Sequence, residues 1–531
     1  MNKKYQNFLK MVIYQIYPRS FRDSNGDGIG DINGVIEKLD YLKELGVNAI
    51  WMCPCYKSPN DDNGYDISDY CDIMDEFGTM EDIKRLISEL HSREMKLIMD
   101  FVPNHTSTSH KWFQESRKSK DNPYSDYYYW FDEPQNDWES AFSGSAWEYD
   151  EMRGQYYLHS YAVSQADLNW DNPAVVKEMQ GVIDFWINLG VDGFRCDVID
   201  QISKDWEQNQ NMFGPRLHEY IHALFGREEV AHLFTIGECW CQDIEELYKH
   251  TAFERGELST VFQFNHMECG RESKFVPKTP DLREVRDIVI DWETLCEEHN
   301  LLYTLFTDNH DQPQFLSRVT GYSKLRYEAA TMLAAMFYLL KGVSVIYQGQ
   351  ELGMTAAHYD AIEDFDDIES INYYQELLKT MSPKEALEGI NFGSRDNTRH
   401  PMCWDDSEYG GFSDVKPWIA VHSEVKTQNL KTDFASEKSV FRFYQKLLKL
   451  RASSDAILSG SLQVLSKKED RFFVYVREAD GEKILVICNF EEPSEILVED
   501  VIGTLLLSNY RERKEVSGLY APYETAVFEL K

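Results

Sequence analysis

Short runs of consecutive apolar residues alternate along most of this chain with segments whose apolar residues recur every three or four positions. Eight of the runs read as strands, at 12–17, 49–52, 97–101, 193–197, 233–237, 260–264, 303–306 and 344–347. Several are apolar at nearly every position, the pattern of strands covered on both faces. The intervening segments read as amphipathic helices. Ile83, Leu86, Ile87 and Leu90 fall at the spacing of one buried helix face. Gly46 and Gly190 stand where two such helices should end. Eight β-then-α units predict an α/β fold, a closed (β/α)8 TIM barrel rather than an open sheet.

Two intervals are too long for simple connections. Residues 103–169, after strand three, are rich in Trp, Tyr, Ser and Asp with weak helical period, as in an inserted small domain. A second excursion, 353–418, follows strand eight. From 459 the pattern changes to short alternating strands, at 462–465, 472–476, 484–489 and 496–498, which predicts a C-terminal antiparallel β-sandwich. The expected organisation is a barrel from 1–102 and 170–458, an insert from 103–169 and a C-terminal β domain from 459–531.

A formal net charge of −37 argues against nucleic acid and anionic membranes as partners. No apolar run is long enough to cross a bilayer, and the opening residues lack the apolar core of a signal peptide. The chain is therefore expected to be cytoplasmic and to act as a monomer on a small molecule, without an organic cofactor. Its ten cysteines are scattered. Cys53/Cys55 and Cys239/Cys241 have C-x-C spacing but no partners at zinc-site distances in sequence, so they read as reduced thiols of core and loops.

Chemistry in such barrels sits at the C-terminal ends of the strands. Three carboxylates fall there: Asp197 after strand four, Glu238 after strand five and Asp311 after strand seven. A barrel aims all three into one mouth. A retaining glycosidase needs a nucleophilic carboxylate and a general acid about 5–5.5 Å apart. Like charges that close push their pKa values apart, so one can stay protonated. Spacing alone supports a barrel enzyme with an acidic mouth and no more.

An opening strand and four ordered motifs sharpen this. The opening VIYQIYPRSF at 12–21, Asp100-Phe-Val-Pro-Asn-His105-Thr, Gly193-Phe-Arg-Cys-Asp197-Val198, and the strand ends at Glu238 and His310-Asp311 resemble the α-amylase family of glycoside hydrolases. The run Asp61-Asp-Asn-Gly-Tyr65-Asp66, the segment Phe142-Ser-Gly-Ser-Ala-Trp147 and Arg395-Asp-Asn-Thr-Arg399 resemble its oligo-1,6-glucosidase and glucan 1,6-α-glucosidase subgroup. The resemblance implies a retaining exo-α-glucosidase acting on terminal α-1,6 bonds of isomaltose and isomalto-oligosaccharides. It implies Asp197 as nucleophile, Glu238 as acid/base and Asp311 as the third acid. Arg195 would orient Asp197, and His105 and His310 would bond sugar hydroxyls. Asp66 and Arg399 would pair and clasp the non-reducing end. Tyr65 and Phe142 would face sugar C–H surfaces, and Gln165 would line the pocket. Val198, after the nucleophile, matches members that cut α-1,6 bonds.

Some positions depart from the subgroup. Ala166 stands where oligo-1,6-glucosidases have Pro and resembles trehalose-6-phosphate hydrolases; Gln314 replaces an Arg and His400 a Thr. α-1,4-Glucosidase, trehalose-6-phosphate hydrolase and sucrose-isomerising transglucosylase therefore stay as alternatives. A transporter heavy chain, which has this barrel without the acids and with a membrane helix, does not fit. A phosphosugar enzyme would need a cationic patch near the entrance, for which Lys274 is one candidate. Finally, Asp23, Asn25, Asp27 and Asp31 place oxygens along a loop with Gly28 sixth and the Ile29 carbonyl seventh, like the first part of an EF-hand, with Gly34 in place of the twelfth-position Glu. A structural Ca²⁺ or Mg²⁺ is expected there, calcium first, against a metal-free Asx-rich turn.

Overall fold

A computed structural model describes residues 3–531 except 322, 323, 500, 511, 512 and 514. Eight strands form the central sheet: β1 (Val12–Ile16), β2 (Ala49–Met52), β3 (Lys96–Phe101), β4 (Gly193–Cys196), β5 (Phe234–Gly237), β6 (Thr260–Val261), β7 (Thr304–Leu305) and β8 (Val343–Tyr347). All pairings are parallel, in the order β6-β5-β4-β3-β2-β1-β8-β7. β6 and β7 lie at the two ends of that order. They are tied by threonine hydroxyls rather than a ladder: Thr260 Oγ1 donates to Leu302 O and Thr304 Oγ1 to Val261 O, each at 3.1 Å. The predicted TIM barrel is thus present and nearly closed.

Local signals do what the sequence pattern asks of them. Thr79 and Asp82 form a capping box on helix Met80–Ser92, whose buried face is Ile83, Leu86, Ile87 and Leu90. Gly46 and Gly190 end helices Leu39–Leu45 and Pro173–Leu189 at φ 102° and 105°, a left-handed conformation that a Cβ disfavours. β6 and β7 are shorter than the apolar runs suggest. Phe262 and Phe306, beyond their ends, meet edge to face at 5.0 Å and pack instead of pairing.

Between β3 and β4 the chain makes small antiparallel sheets. His105–Ser107 pairs with Gln165–Asp167, and Gln155–Leu158 lies between Trp130–Phe131 and Trp147–Asp150. After β8, helices Ile368–Leu377 and Pro383–Gly393 pack around Phe275, Tyr359 and Phe365, and the short helix Asp396–Arg399 follows. The C-terminal region is antiparallel. Its five-stranded sheet runs Ser461–Val464, Phe472–Ala479, Glu482–Asn489, Thr525–Leu530, Gly503–Ser508, and Ser494–Ile496 pairs with Gly518–Tyr520. Buried Arg477 and Glu293 tie it to barrel helix Leu282–His299. Among the described residues no helix is long and apolar enough to cross a membrane.

Candidate active site

Strand register sets the floor of the barrel mouth. β3 and β4 pair with Asp100 opposite Arg195. Asp197 lies two residues beyond Arg195, and β5 delivers Glu238 alongside. Backbone bonds extend the ladder past the strands: Asp197 N donates to Phe101 O and Glu238 N to Cys196 O, both at 2.8 Å. Arg195 then binds three carboxylates at once. Its Nη1 donates to Asp100 Oδ1 at 2.9 Å and to Asp197 Oδ1 at 2.6 Å, and its Nη2 donates to Glu238 Oε2. The guanidinium also lies 5.1 Å from the centre of the Trp51 ring.

One buried cation cannot neutralise three carboxylates. Burial raises Asp100 to about 6, against the pull of Arg195. Burial also pushes Asp197 well above the ordinary carboxylate range; Glu238 and Asp100 add to this and Arg195 opposes it. Asp100 and Asp197 therefore titrate as parts of one coupled unit in which full ionisation is disfavoured.

Val198 follows Asp197 at φ 35°, a positive value that is strained for a β-branched residue. The turn aims Val198 N at Glu238 Oε2, 3.3 Å away, and Ile199 N donates to Glu238 O at 3.1 Å. The strain thus sits where the nucleophile-bearing and acid-bearing segments are locked together.

Across the mouth, His310 is buried and neutral, its pKa lowered to about 3 by burial. Gln15 Nε2 donates to its Nδ1 at 2.8 Å, which leaves the proton on Nε2. That nitrogen lies 2.5 Å from Tyr65 OH and 3.1 Å from Asp311 Oδ2, and Tyr65 OH donates on to Asp100 at 3.0 Å. The Tyr65 and His310 rings stack, 5.3 Å apart and 10° from parallel. Although burial works against it, Asp311 is held below the usual carboxylate range by His310, Arg399 and Arg395.

The expected pairing of Asp66 with Arg399 does not form. Asp66 is fully buried and closes its own loop, accepting from Ser58 Oγ, Asp61 N and Asp62 N. Arg399 donates to His310 O at 2.8 Å and to Asp311 Oδ1 at 3.0 Å, so it braces the third acid. The pair that lines the cleft is Asp62 with Arg395, at 2.9 Å. Arg395 also binds Asp367 at 2.5 Å and lies 4.7 Å from the centre of the Phe142 ring. Gln165 Nε2 donates to Asp62 Oδ2 at 2.9 Å and lies 3.2 Å from His105 Nε2, joining those predicted residues to the same wall.

Tyr161 was not singled out in the sequence. It packs edge to face on Phe142 at 5.4 Å, lies 5.2 Å from the His105 ring, and its OH accepts from Gln201 at 2.9 Å. Its segment has no periodicity to mark it. Gln314 and His400, the two departures, lie 3.4 Å apart and both are buried. The cleft encloses about 380 Å³. Its outer rim carries Trp240, Gln312, Arg271 and Lys274. Both rim cations are paired, Arg271 with Glu268 and Lys274 with Glu369 at 2.6 Å.

The Asp23–Asp31 loop is a chain of Asx turns. Asn25 N, Asp27 N and Ile29 N donate to Asp23, Asn25 and Asp27 respectively, at 2.9–3.1 Å. Asp31 caps helix Ile32–Glu37 through Gly34 N and also accepts from Ser24. The donor set is oxygen alone, as a hard divalent cation requires. Asn25 and Asp27 each use one acceptor oxygen once and keep lone pairs free.

A family profile described as "Alpha amylase, catalytic domain" matches residues 15–460. The chain is 45% identical to an oligo-1,6-glucosidase of Parageobacillus thermoglucosidasius over 98% of each protein. It is 40% identical to a trehalose-6-phosphate hydrolase of Bacillus subtilis, again over 98% of each. Among solved structures it matches trehalulose synthase from Pseudomonas mesoacidophila with a TM-score of 0.94 and 36% identity, over 99% of each chain. A mutant of that synthase has been solved with glucose bound.

Proposed function

This chain belongs to the α-amylase family of glycoside hydrolases, and from that premise we propose that it is a retaining, exo-acting α-glucosidase cutting terminal α-1,6 bonds of isomaltose and isomalto-oligosaccharides. The observation that carries this is the guanidinium shared by Asp197 and Glu238. Inverting enzymes separate their carboxyl groups by about 6.5–9.5 Å to admit a water, whereas retaining ones hold them about 5–5.5 Å apart. Two carboxylates on neighbouring nitrogens of one guanidinium belong to the short spacing.

In this reading Asp197 attacks the anomeric carbon. Glu238, as the general acid, gives a proton to the departing glycosidic oxygen, leaving a glucosyl ester on Asp197. Glu238 then takes a proton from water, which opens the ester and releases α-glucose. Asp311, kept ionised by its cations, grips ring hydroxyls together with the His310 Nε2–H. The Asp62–Arg395 pair walls off the non-reducing end, which accounts for exo action. Phe142, Tyr161 and Tyr65 offer faces to apolar sugar surface.

Val198 supports the α-1,6 preference. Its side chain borders the cut, where a β-branched residue narrows the space for an α-1,4-linked neighbour; an α-1,6 link has an extra rotatable methylene. A methyl or methylene of pocket shape is worth about 1–3 kcal/mol, roughly 10–200-fold. Isomaltose is expected to exceed maltose in kcat/KM, and Val198→Ala to shift that ratio toward maltose by about tenfold or more. Assays on isomaltose, maltose, sucrose and trehalose-6-phosphate test the assignment. The paired rim cations disfavour a phosphosugar, since Arg271 and Lys274 would each have to leave a carboxylate. Trehalose-6-phosphate as best substrate would displace the α-1,6 reading and leave the retaining mechanism standing.

The same proposal gives the loop a structural Ca²⁺ held by Asp23, Asn25, Asp27, the Ile29 carbonyl and Asp31, remote from the chemistry. Binding to the native state alone adds about 2.7 kcal/mol at a hundred times Kd. A chelator should lower Tm, added calcium should restore it, and Asp27→Ala should abolish the difference while initial rates hold. A Tm indifferent to both additions rejects the site.

A further inference from the structure

We propose that Cys239, Cys241 and His250 form a structural zinc site that staples the acid-bearing loop to the helix behind it. The three are buried, at 0, 3 and 0% exposure, outside the cleft wall. Cys239 Sγ lies 3.2 Å from Cys241 Sγ and 3.7 Å from His250 Nε2, and Cys241 Sγ lies 3.8 Å from His250 Nδ1. With zinc–sulfur bonds near 2.3 Å and zinc–nitrogen bonds near 2.0–2.1 Å, a tetrahedron has edges of about 3.6–3.8 Å. The Cys239 Sγ–His250 Nε2 separation matches such an edge, the two sulfurs would have to part by about 0.5 Å, and one donor atom from each residue lies within 4.8 Å of the other two.

The histidine is oriented for this task. His250 Nδ1 lies 2.8 Å from Glu246 O, so it carries the proton and Nε2 keeps the free lone pair. A carbonyl behind a histidine is the usual outer support of a zinc ligand. His218 has a similar support: its Nδ1 lies 2.8 Å from Glu257 Oε2, and its ring centre lies 4.7 Å from that of His250. His218 and Glu246 form a second group of donors around His250, so His218 is near the site without belonging to the cysteine set, and the fourth position is left to a water. Two thiolates and imidazole suit zinc rather than calcium or magnesium. A Cys239–Cys241 disulfide would use both sulfurs but give His250 Nε2, buried beside them, nothing to bind.

The position ties the site to the reaction's geometry. Cys239 follows Glu238 directly, and His250 is near the far end of helix Ile244–Thr251, which Asp243 caps. A metal there would tie the loop that carries Cys239 and Cys241, directly after Glu238, to the last turn of that helix. This inference stands on the donor geometry and does not depend on the substrate.

The test uses the full-length protein, purified without chelator. Plasma mass spectrometry should find stoichiometric zinc, and cobalt(II) added to the stripped protein should give an intense thiolate charge-transfer band. Cys241→Ser and His250→Gln should each lose the band, while Cys53→Ser keeps it. Because a variant can fail to fold, zinc-edge X-ray absorption on the wild type gives an independent reading: sulfur scatterers at about 2.3 Å support the site. A sulfur-free shell, a wild type without the cobalt band, or an isolated protein carrying a Cys239–Cys241 disulfide and no zinc overturns it.

Discussion

Glu238→Gln is expected to lower kcat/KM on isomaltose by at least about 10²–10⁴-fold, the range for a general acid/base, with the fold intact. The amide oxygen can still accept from Arg195 and from Val198 N, so the loop keeps its anchors; what disappears is the proton for the leaving sugar. Substrates with a leaving group that needs no proton should lose far less in the first step. With such a substrate azide should partly rescue Glu238→Ala by replacing the water that the missing base would activate. The same scheme requires α-glucose as the first product of the wild type, which NMR reads within the first turnovers; initial β-glucose would falsify the double displacement. The acid limb of kcat/KM should lie above the ordinary carboxylate range, because Asp197 must be ionised to attack and burial raises its pKa. Rate is then lost as pH falls through that raised value.

The floor of the site was legible because it is built at strand ends. Asp197, Glu238 and Asp311 each terminate an apolar run, and closing the barrel is enough to bring them together. The wall was less legible because loops build it. Asp62 and Arg395 are 333 positions apart, and their motifs offer several acids and two arginines. Spacing cannot decide which acid faces the cleft. Asp66 is claimed by the backbone N–H groups of Asp61 and Asp62, a local bond of the kind short acidic side chains make in turns. That capture frees Asp62 for the ion pair, and it could have been suspected from the Asp-Asp-Asn-Gly turn alone.

The cysteine cluster shows a related limit. No second histidine or cysteine lies at the spacing of a familiar zinc motif, so the pair Cys239/Cys241 reads as bland in sequence. The third donor returns through a helix instead. Leu247, His250 and Thr251 form the buried face of Ile244–Thr251 at i, i+3 and i+4. A histidine on an apolar helix face, one turn from a leucine and one loop from two cysteines, was the available signal. Two C-terminal strands, Gly503–Ser508 and Gly518–Tyr520, were missed because they alternate half-buried with exposed residues, whereas Thr525–Leu530, with four buried positions in a row, carried a readable run that was passed over.

Arg395→Met is expected to destabilise the protein by about 3–5 kcal/mol, the cost of stripping the cation from a buried ion pair, and to abolish productive binding of the terminal glucose. Methionine retains much of the side-chain volume over Phe142 but leaves Asp62 and Asp367 as buried carboxylates without their partner. Although burial opposes it, Arg395 is the main cause holding the Asp367 carboxyl below the usual range. A depressed carboxyl contributes stability above its unfolded-state pKa and loses it as pH falls through the folded value. Once the cation is gone burial dominates and the same carboxyl moves up, so the variant gains stability by taking up a proton as pH falls. The deficit in Tm between variant and wild type should therefore be largest at neutral pH and shrink toward acid. A deficit that does not change with pH would mean that lost packing, not lost charge, is the cause. Asp62→Asn in the Arg395→Met background should recover part of the stability, because it removes one of the two orphaned charges, yet should recover none of the exo-glucosidase activity. Recovery of activity without the ion pair would show that the wall at the non-reducing end is built by something other than Asp62 and Arg395.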